Sequence, residues 1–268
     1  MALSYFFILF IIYGFIGWLW ETIFCSVKQK EFINRGFLKG PWLPIYGIGS
    51  IIVLHLLKPL SGTWIPLFFA SLILTTSLEY FTSWFLEKLF HTKWWDYSSV
   101  KFNINGRVCL LGALFFGLLG TLISHFLNPI IESFVLSIPL LVAKIIASVL
   151  FTIFLCDLLY TIYKLVDYTI YMERLKVFVE ILKEKYSEEK WFFEHISISE
   201  LFNTLKEKSK QRQIKINQNL LDRIDHFNEN HKQMLVWIKK FPTMKSSRFS
   251  TGIEHLKKKL LEKLSNKR

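Results

Sequence analysis

Several runs of apolar residues in this chain are long enough to cross a lipid bilayer, and no other feature constrains the fold as strongly. A spanning helix needs about 20 mostly apolar residues. A run at 41–60 fits poorly, because it contains Pro41, Pro44, Gly47, Gly49, His55 and Lys58. The clear candidates are 3–24, 64–86, 108–127 and 139–163. Backbone polar groups must be satisfied inside lipid, so such spans are helical. We therefore predict an all-α, polytopic membrane helix bundle of about five transmembrane helices.

The distribution of charge divides the chain into two parts. Residues 1–163 carry ten Lys or Arg and seven Asp or Glu, whereas 164–268 carry twenty-three and fourteen. The net charge of +12 thus splits into +3 and +9. We expect a transmembrane domain, 1–163, followed by a basic cytoplasmic helical tail, 164–268. Helical spacing of apolar residues continues through 168–186, and further amphipathic candidates lie at 199–228 and 252–264.

Basic residues between the spans predict the orientation. Segments 28–39 and 88–107 each contain four Lys or Arg, whereas 58–63 contains one and 128–138 contains none. Loops rich in Lys and Arg stay in the cytoplasm. We expect the N-terminus outside and the tail in the cytoplasm. The tail would then meet the lipid surface or a cytoplasmic protein partner, and no nucleic acid is expected.

Three carboxylates lie inside the predicted spans, at Glu21, Glu79 and Asp157. At about 1.5 Å per residue, each lies about 5–10 Å from the cytoplasmic end of its helix. Arg35 and Arg107 lie in the basic loops at the same end. Ionisable residues inside a bilayer are costly and are functional candidates by default. We predict that all five converge in one cytoplasm-facing cavity. Alternatively, Glu21 and Glu79 pair with Arg35 and Arg107 only to hold the bundle together.

Two of the predicted spans show a face of small or polar residues. In the third span, polar residues recur every four positions and therefore share one face, which we expect to point inward. They are Ser71, Thr75, Glu79 and Ser83. The fourth span carries small residues that permit close helix packing. They are Ala113, Gly117, Gly120, Thr121 and Ser124.

The segment 34–47 combines helix-breaking and large apolar residues. Its Pro and Gly residues prevent a regular helix, yet Trp42 and Tyr46 make it too apolar for a free loop. Irregular backbone at membrane depth is tolerated only against protein or a cavity. We expect either a re-entrant loop beside the polar site or an interfacial turn anchored by Trp42 and Tyr46.

Soluble-enzyme and nucleotide-binding signatures are absent from the sequence. It contains no GxxxxGK[ST], HExxH or GxSxG motif. The three cysteines have no CxxC partner, and no metal or cofactor is expected.

A combination of short motifs runs through residues 5–163. They are Gly17-Trp18, Glu21, Asn34-Arg35-Gly36-Phe37-Leu38, Gly40-Pro41, Pro44-Ile45-Tyr46-Gly47, Glu79-Tyr80, Trp95-Asp96-Tyr97-Ser98, Asn103, Asn105-Gly106-Arg107, Cys109-Leu110 and Asp157. This combination resembles the bacterial "putative ABC-transporter type IV" family, the CmpB-like membrane proteins. The tail positions Phe241-Pro242, Ser246 and Arg248 also resemble tails attached to such proteins.

The resemblance implies an ABC-type permease component of the bacterial cell membrane, with no established substrate, cofactor or catalytic residue. It also implies that the polar positions belong to the family's own pattern. The candidate ligand-binding or ion-pair residues are therefore Glu21, Asn34, Arg35, Glu79, Asp96, Asn105, Arg107 and Asp157.

We expect a transport-associated, permease-like membrane component with a polar, cytoplasm-facing site. One alternative is a membrane-embedded enzyme acting on a lipid or lipid-linked head group, with Asp96 or Glu79 as its base. Another is a non-catalytic scaffold or sensor whose tail recruits a cytoplasmic partner.

Overall fold

The computed structural model describes residues 1–186, 207, 240–241 and 245–246. They form helices, one 3₁₀ turn and a few two-residue strands. In chain order these are α1 (Leu3–Gln29), α2 (Pro44–Leu56), the 3₁₀ turn Lys58–Leu60, α3 (Ile65–Phe90), β1 (Thr92–Lys93), β2 (Asn103–Ile104), β3 (Val108–Cys109), α4 (Leu110–Leu122), a π-helical turn Ile123–Leu127, α5 (Asn128–Ser137), α6 (Leu140–Tyr186) and β4 (Lys245–Ser246).

The chain divides into two compact units. The first contains Met1–Leu89 and Lys93–Lys164, and it holds the apolar helices. The second contains Phe90–Thr92 and Leu165–Arg268. In the second unit, β4 pairs with the strand that contains Thr92. Helix α6 continues without a break to Tyr186, as predicted for 168–186, whereas 199–228 and 252–264 lie outside the described residues apart from Glu207.

Among the described residues, four helical stretches are long and apolar enough to span a membrane: Leu3–Gln29, Ile65–Phe90, Leu110–Ser137 and Leu140–Val166. The predicted all-α membrane helix bundle is confirmed, and four of its about five predicted spans are long enough to cross a membrane. The longest helix within 41–60 is α2, which has 13 residues. That helix is about 20 Å long, against a hydrocarbon core of about 30 Å. Pro44 begins it at the position where proline is tolerated.

Helix α2 runs antiparallel to α1 and packs closely against it. The Leu43 amide donates to the Gly14 carbonyl at 2.9 Å, and the rings of Phe6 and His55 lie 4.4 Å apart. Gly17 permits this approach, because a side chain there would overlap the ring of Tyr46. The irregular chain before Pro44 therefore returns along the second half of α1, and α2 follows the first half.

The segment 128–138, expected as a loop, is helical instead. The π-helical turn lets the span that starts at Leu110 continue into α5 past Pro129, which lacks an amide donor. The Tyr13 hydroxyl donates to Asn128 Oδ1 at 3.0 Å, and the Tyr5 hydroxyl donates to the Ile138 carbonyl at 2.9 Å. These bonds hold α5 against α1.

The apolar core lies toward one end of the first unit. It is formed by Ile8, Leu9, Tyr13, Leu54, Val135, Ala143 and Ala147. Small residues of α4 are buried as predicted: Gly117 faces Leu72 and Gly120 faces Ser71 of α3. The polar candidates lie toward the other end of the same helices.

Candidate functional site

Glu21 of α1 forms the first half of the site. Its Oε2 lies 3.1 Å from Arg35 Nε, so the predicted Glu21–Arg35 pair is confirmed. Its Oε1 accepts a hydrogen bond from the Tyr46 hydroxyl at 2.9 Å. The Arg35 amide also donates to Thr22 Oγ1 at 3.4 Å, which holds the returning chain against α1. Both Glu21 carboxylate oxygens are therefore bonded.

Glu79 of α3 forms the second half, and its residue is only 7% exposed. Its Oε1 accepts a hydrogen bond from the Tyr97 hydroxyl at 3.3 Å. Its Oε2 is buried and has no hydrogen-bond partner among the described residues. Burial raises the pKa of the Tyr97 hydroxyl, and the Glu79 carboxylate raises it further. Tyr97 therefore keeps its proton and serves as a donor.

The two halves are neighbours. Glu21 and Glu79 are close enough to interact electrostatically, and Tyr97 interacts with both. We call Glu21, Arg35, Tyr46, Glu79 and Tyr97 the carboxylate–tyrosine cluster. Sequence reasoning missed the two tyrosines as site residues, although both stand within the motifs of the family resemblance. For Tyr46, the sequence predicts either a position in a re-entrant loop beside the polar site or a role as an interfacial anchor.

Arg107 lies elsewhere, and its predicted pairing with Glu79 is wrong. Its Nη2 lies 2.8 Å from Glu87 Oε2, and Glu87 is eight residues, or about 12 Å, beyond Glu79 along α3. Its guanidinium also stacks over the Tyr80 ring at 5.3 Å. Asn105 Nδ2 donates to the Tyr80 hydroxyl at 3.0 Å. Asn105 and Arg107 thus belong to a second polar group on α3, together with Tyr80 and Glu87.

A small hairpin explains this placement. Strands β2 and β3 pair antiparallel, and the turn between them places Asn105 and Gly106 at φ values of 53° and 67°. Asn and Gly are the residues that tolerate positive φ in such turns. The Tyr97 amide donates to the Gly106 carbonyl at 2.8 Å, which places Tyr97 beside the hairpin. The Asn105-Gly106 pair was the available sequence signal for the hairpin.

Asp96 lies in the chain that approaches the hairpin. Its Oδ1 accepts hydrogen bonds from the Ser98 amide, at 3.1 Å, and from the Ser98 hydroxyl. Such side chain–backbone bonds stabilise turns. This Asp96 oxygen therefore helps to shape the segment that presents Tyr97.

Asp157 of α6 bonds the irregular segment rather than the other charged side chains. Its Oδ1 accepts from the Lys39 amide at 3.1 Å. Its Oδ2 accepts from the Gly40 amide and from Trp42 Nε1, both at 2.8 Å. The prediction that Asp157 bonds the other charged side chains is therefore wrong, because its carboxylate accepts from backbone amides and an indole N–H.

Asn34 bonds the beginning of the same segment. Its Oδ1 accepts from Trp18 Nε1 at 2.8 Å and from the Gly36 amide at 3.0 Å, and its Nδ2 donates to the Lys39 carbonyl at 3.1 Å. Asn34 thus satisfies backbone groups at both ends of the 36–39 stretch of this non-helical chain. The segment thereby brings Arg35 and Tyr46 to Glu21.

Comparison with known proteins gives one match. The family model described as "Putative ABC-transporter type IV" matches residues 8–162, which include every residue of the carboxylate–tyrosine cluster. No curated protein and no solved structure matches the chain. Because the match covers more than half of the 268 residues, the chain belongs to the putative ABC-transporter type IV family of membrane proteins.

Proposed function

We propose that this protein is a transport-associated, permease-like membrane component whose ligand site is the carboxylate–tyrosine cluster. The observation that carries the proposal is the Glu79 carboxylate. It lies within a membrane-spanning helix, is 7% exposed and leaves Oε2 without a partner among the described residues. A buried, incompletely bonded carboxylate is costly, so its presence needs a reason beyond packing.

The other charged candidates have partners, although Arg107 also leaves one buried atom, Nε, without a partner among the described residues. Glu21 is paired with Arg35, Arg107 is paired with Glu87, and Asp157 holds the 39–42 segment. Glu21 and Asp157 each have both carboxylate oxygens bonded. Glu79 departs from the pattern, which supports a ligand-binding role at that position.

The broken path of the chain also supports transport. Transporters commonly build their sites where a membrane helix is interrupted, since the freed backbone and the half-helix end face a polar cavity. Here the irregular chain gives way to α2 at Pro44, and Tyr46 in its first turn bonds Glu21. The cluster lies near the basic segments 28–39 and 88–107. The positive-inside rule therefore favours a site that opens to the cytoplasm.

The test compares cells that lack the protein with cells that express it in three forms. These are the wild type, Glu79→Gln, and the control Glu132→Gln, whose carboxylate accepts from Asn128 Nδ2 in α5. Mass spectrometry measures solutes inside the cells and in the medium, at matched protein levels in the membrane. We expect the wild type and Glu132→Gln to restore a solute distribution that Glu79→Gln does not restore.

Full restoration by Glu79→Gln would contradict the proposal. A second contradictory result would be an altered set of membrane lipids with unchanged solutes. That outcome would favour the alternative of an enzyme acting on a lipid or lipid-linked head group.

A further inference from the structure

We propose that Glu79 is a proton-binding residue, whose carboxyl group takes up one proton from water and releases it to water again. No other bond forms or breaks in this exchange. The inference rests on the proposed function and deepens it, because it names an ion that binds at the same site.

Glu79 forms no ion pair with any of the described residues. It lies within the spanning stretch Ile65–Phe90, and its residue is 7% exposed. The two arginines near the site pair with other carboxylates, Arg35 with Glu21 at 3.1 Å and Arg107 with Glu87 at 2.8 Å. An ionised carboxylate that is buried without a counter-charge is very unfavourable, and such a group takes up a proton instead.

The titratable groups that face Glu79 add no positive charge. Glu21 of α1 is close enough to interact with it electrostatically, and it carries the same charge. Tyr46 of α2 and Tyr97 before β2 also interact with Glu79. One arginine, Arg35, therefore serves two neighbouring carboxylates. Like charges that share a site disfavour the ionised form, so a proton on one carboxylate balances the charge of the cluster.

The hydrogen bonds favour Oε2 as the oxygen that carries the proton. Glu79 Oε1 accepts from the Tyr97 hydroxyl at 3.3 Å, whereas Oε2 is buried without a partner among the described residues. With the proton on Oε2, Oε1 becomes a carbonyl oxygen and still accepts from Tyr97. A neutral hydroxyl that lacks an acceptor costs far less in a buried site than an uncompensated charge. A proton also requires no further ligand atoms around Glu79.

Infrared difference spectroscopy of the purified full-length protein in lipid nanodiscs measures the carbonyl stretch of protonated carboxyl groups. Ordinary glutamic acid titrates near about pH 4.3, so most carboxyl groups give no such band at neutral pH. In the wild type we expect a protonated-carboxyl band at neutral pH that disappears in alkaline buffer. Glu79→Gln should lack this band, whereas the control Glu132→Gln, on α5, should keep it.

Tyr97→Phe tests the position of the proton and remains informative if Glu79→Gln does not fold. We expect the band to move to higher frequency in this variant, because the Oε1 carbonyl loses its hydrogen bond. An unshifted band in Tyr97→Phe would overturn the inference. An undiminished band in Glu79→Gln, or no band in the wild type at neutral pH, would also overturn it.

Failure of this inference is separable from failure of the proposed function. Absence of the band, with solute restoration still dependent on Glu79, would refute only the proton site. A band assigned to Glu79, with full restoration by Glu79→Gln, would refute only the transport role of the cluster.

Discussion

Replacing Asp157 with alanine tests how the irregular segment is held within the membrane unit. The carboxylate accepts three hydrogen bonds, from the amides of Lys39 and Gly40 and from the Trp42 indole. The bond from Lys39 is exposed, so water can replace it, whereas those from Gly40 and Trp42 are partly buried. A buried donor left unpaired costs about 1–3 kcal/mol. Two partly buried donors therefore predict a loss of about 2–4 kcal/mol in unfolding free energy.

Equilibrium unfolding in mixed micelles measures this loss, and hydrogen–deuterium exchange of the peptide 36–43 measures its location. We expect faster exchange there, because the Gly40 amide loses its acceptor. Ser148→Ala is the matched control on the same helix. The Ser148 hydroxyl is exposed and bonds only a carbonyl of its own helix, so we expect a change within about 0.5 kcal/mol. An Asp157→Ala protein with the stability and exchange of Ser148→Ala would refute this account of the segment.

Three further predictions concern packing, topology and the tail. Gly17→Val should lower the unfolding free energy by about 1–3 kcal/mol, because the new side chain overlaps Tyr46. Gly62→Val is the control, since that position has open space around it. Equal stability of the two variants would contradict the α1–α2 packing. In a variant without native cysteines, a cysteine at Ser61 should react with an impermeant reagent added to intact cells, whereas one at Ser99 should not; reaction at Ser99 would reverse the proposed orientation. A fragment of 170–268 should be soluble and helical by circular dichroism, and a random-coil spectrum at neutral pH would argue for a disordered tail.

The length and hydropathy of the apolar runs predicted most of the bundle, because spanning a bilayer imposes a fixed length on a helix. The same reasoning failed at 41–60, where a run of adequate mean hydropathy contains prolines. Those residues keep the chain out of the helix until Pro44. Hydropathy alone does not distinguish a full span from a half-helix joined to an irregular chain.

The candidate site was also predicted only in part. Glu21–Arg35 follows from two opposite charges at the same depth. The partners of Asp157 include backbone amides, which no side-chain pattern reveals. The partner of Arg107 depends on the β2–β3 hairpin, because its turn determines which side chains the guanidinium can contact. The sequence patterns predicted no strand at this position.

The central claim is that Glu79 serves a ligand rather than the stability of the bundle. The most direct test measures the stability and the function of Glu79→Gln in the same membranes. Removing a buried charge that lacks a full set of partners should leave the unfolding free energy equal or raise it, while the solute distribution that depends on the protein is lost. A Glu79→Gln protein that is destabilised by several kcal/mol, yet still supports the wild-type solute distribution, would show that Glu79 is a structural residue and would contradict the account.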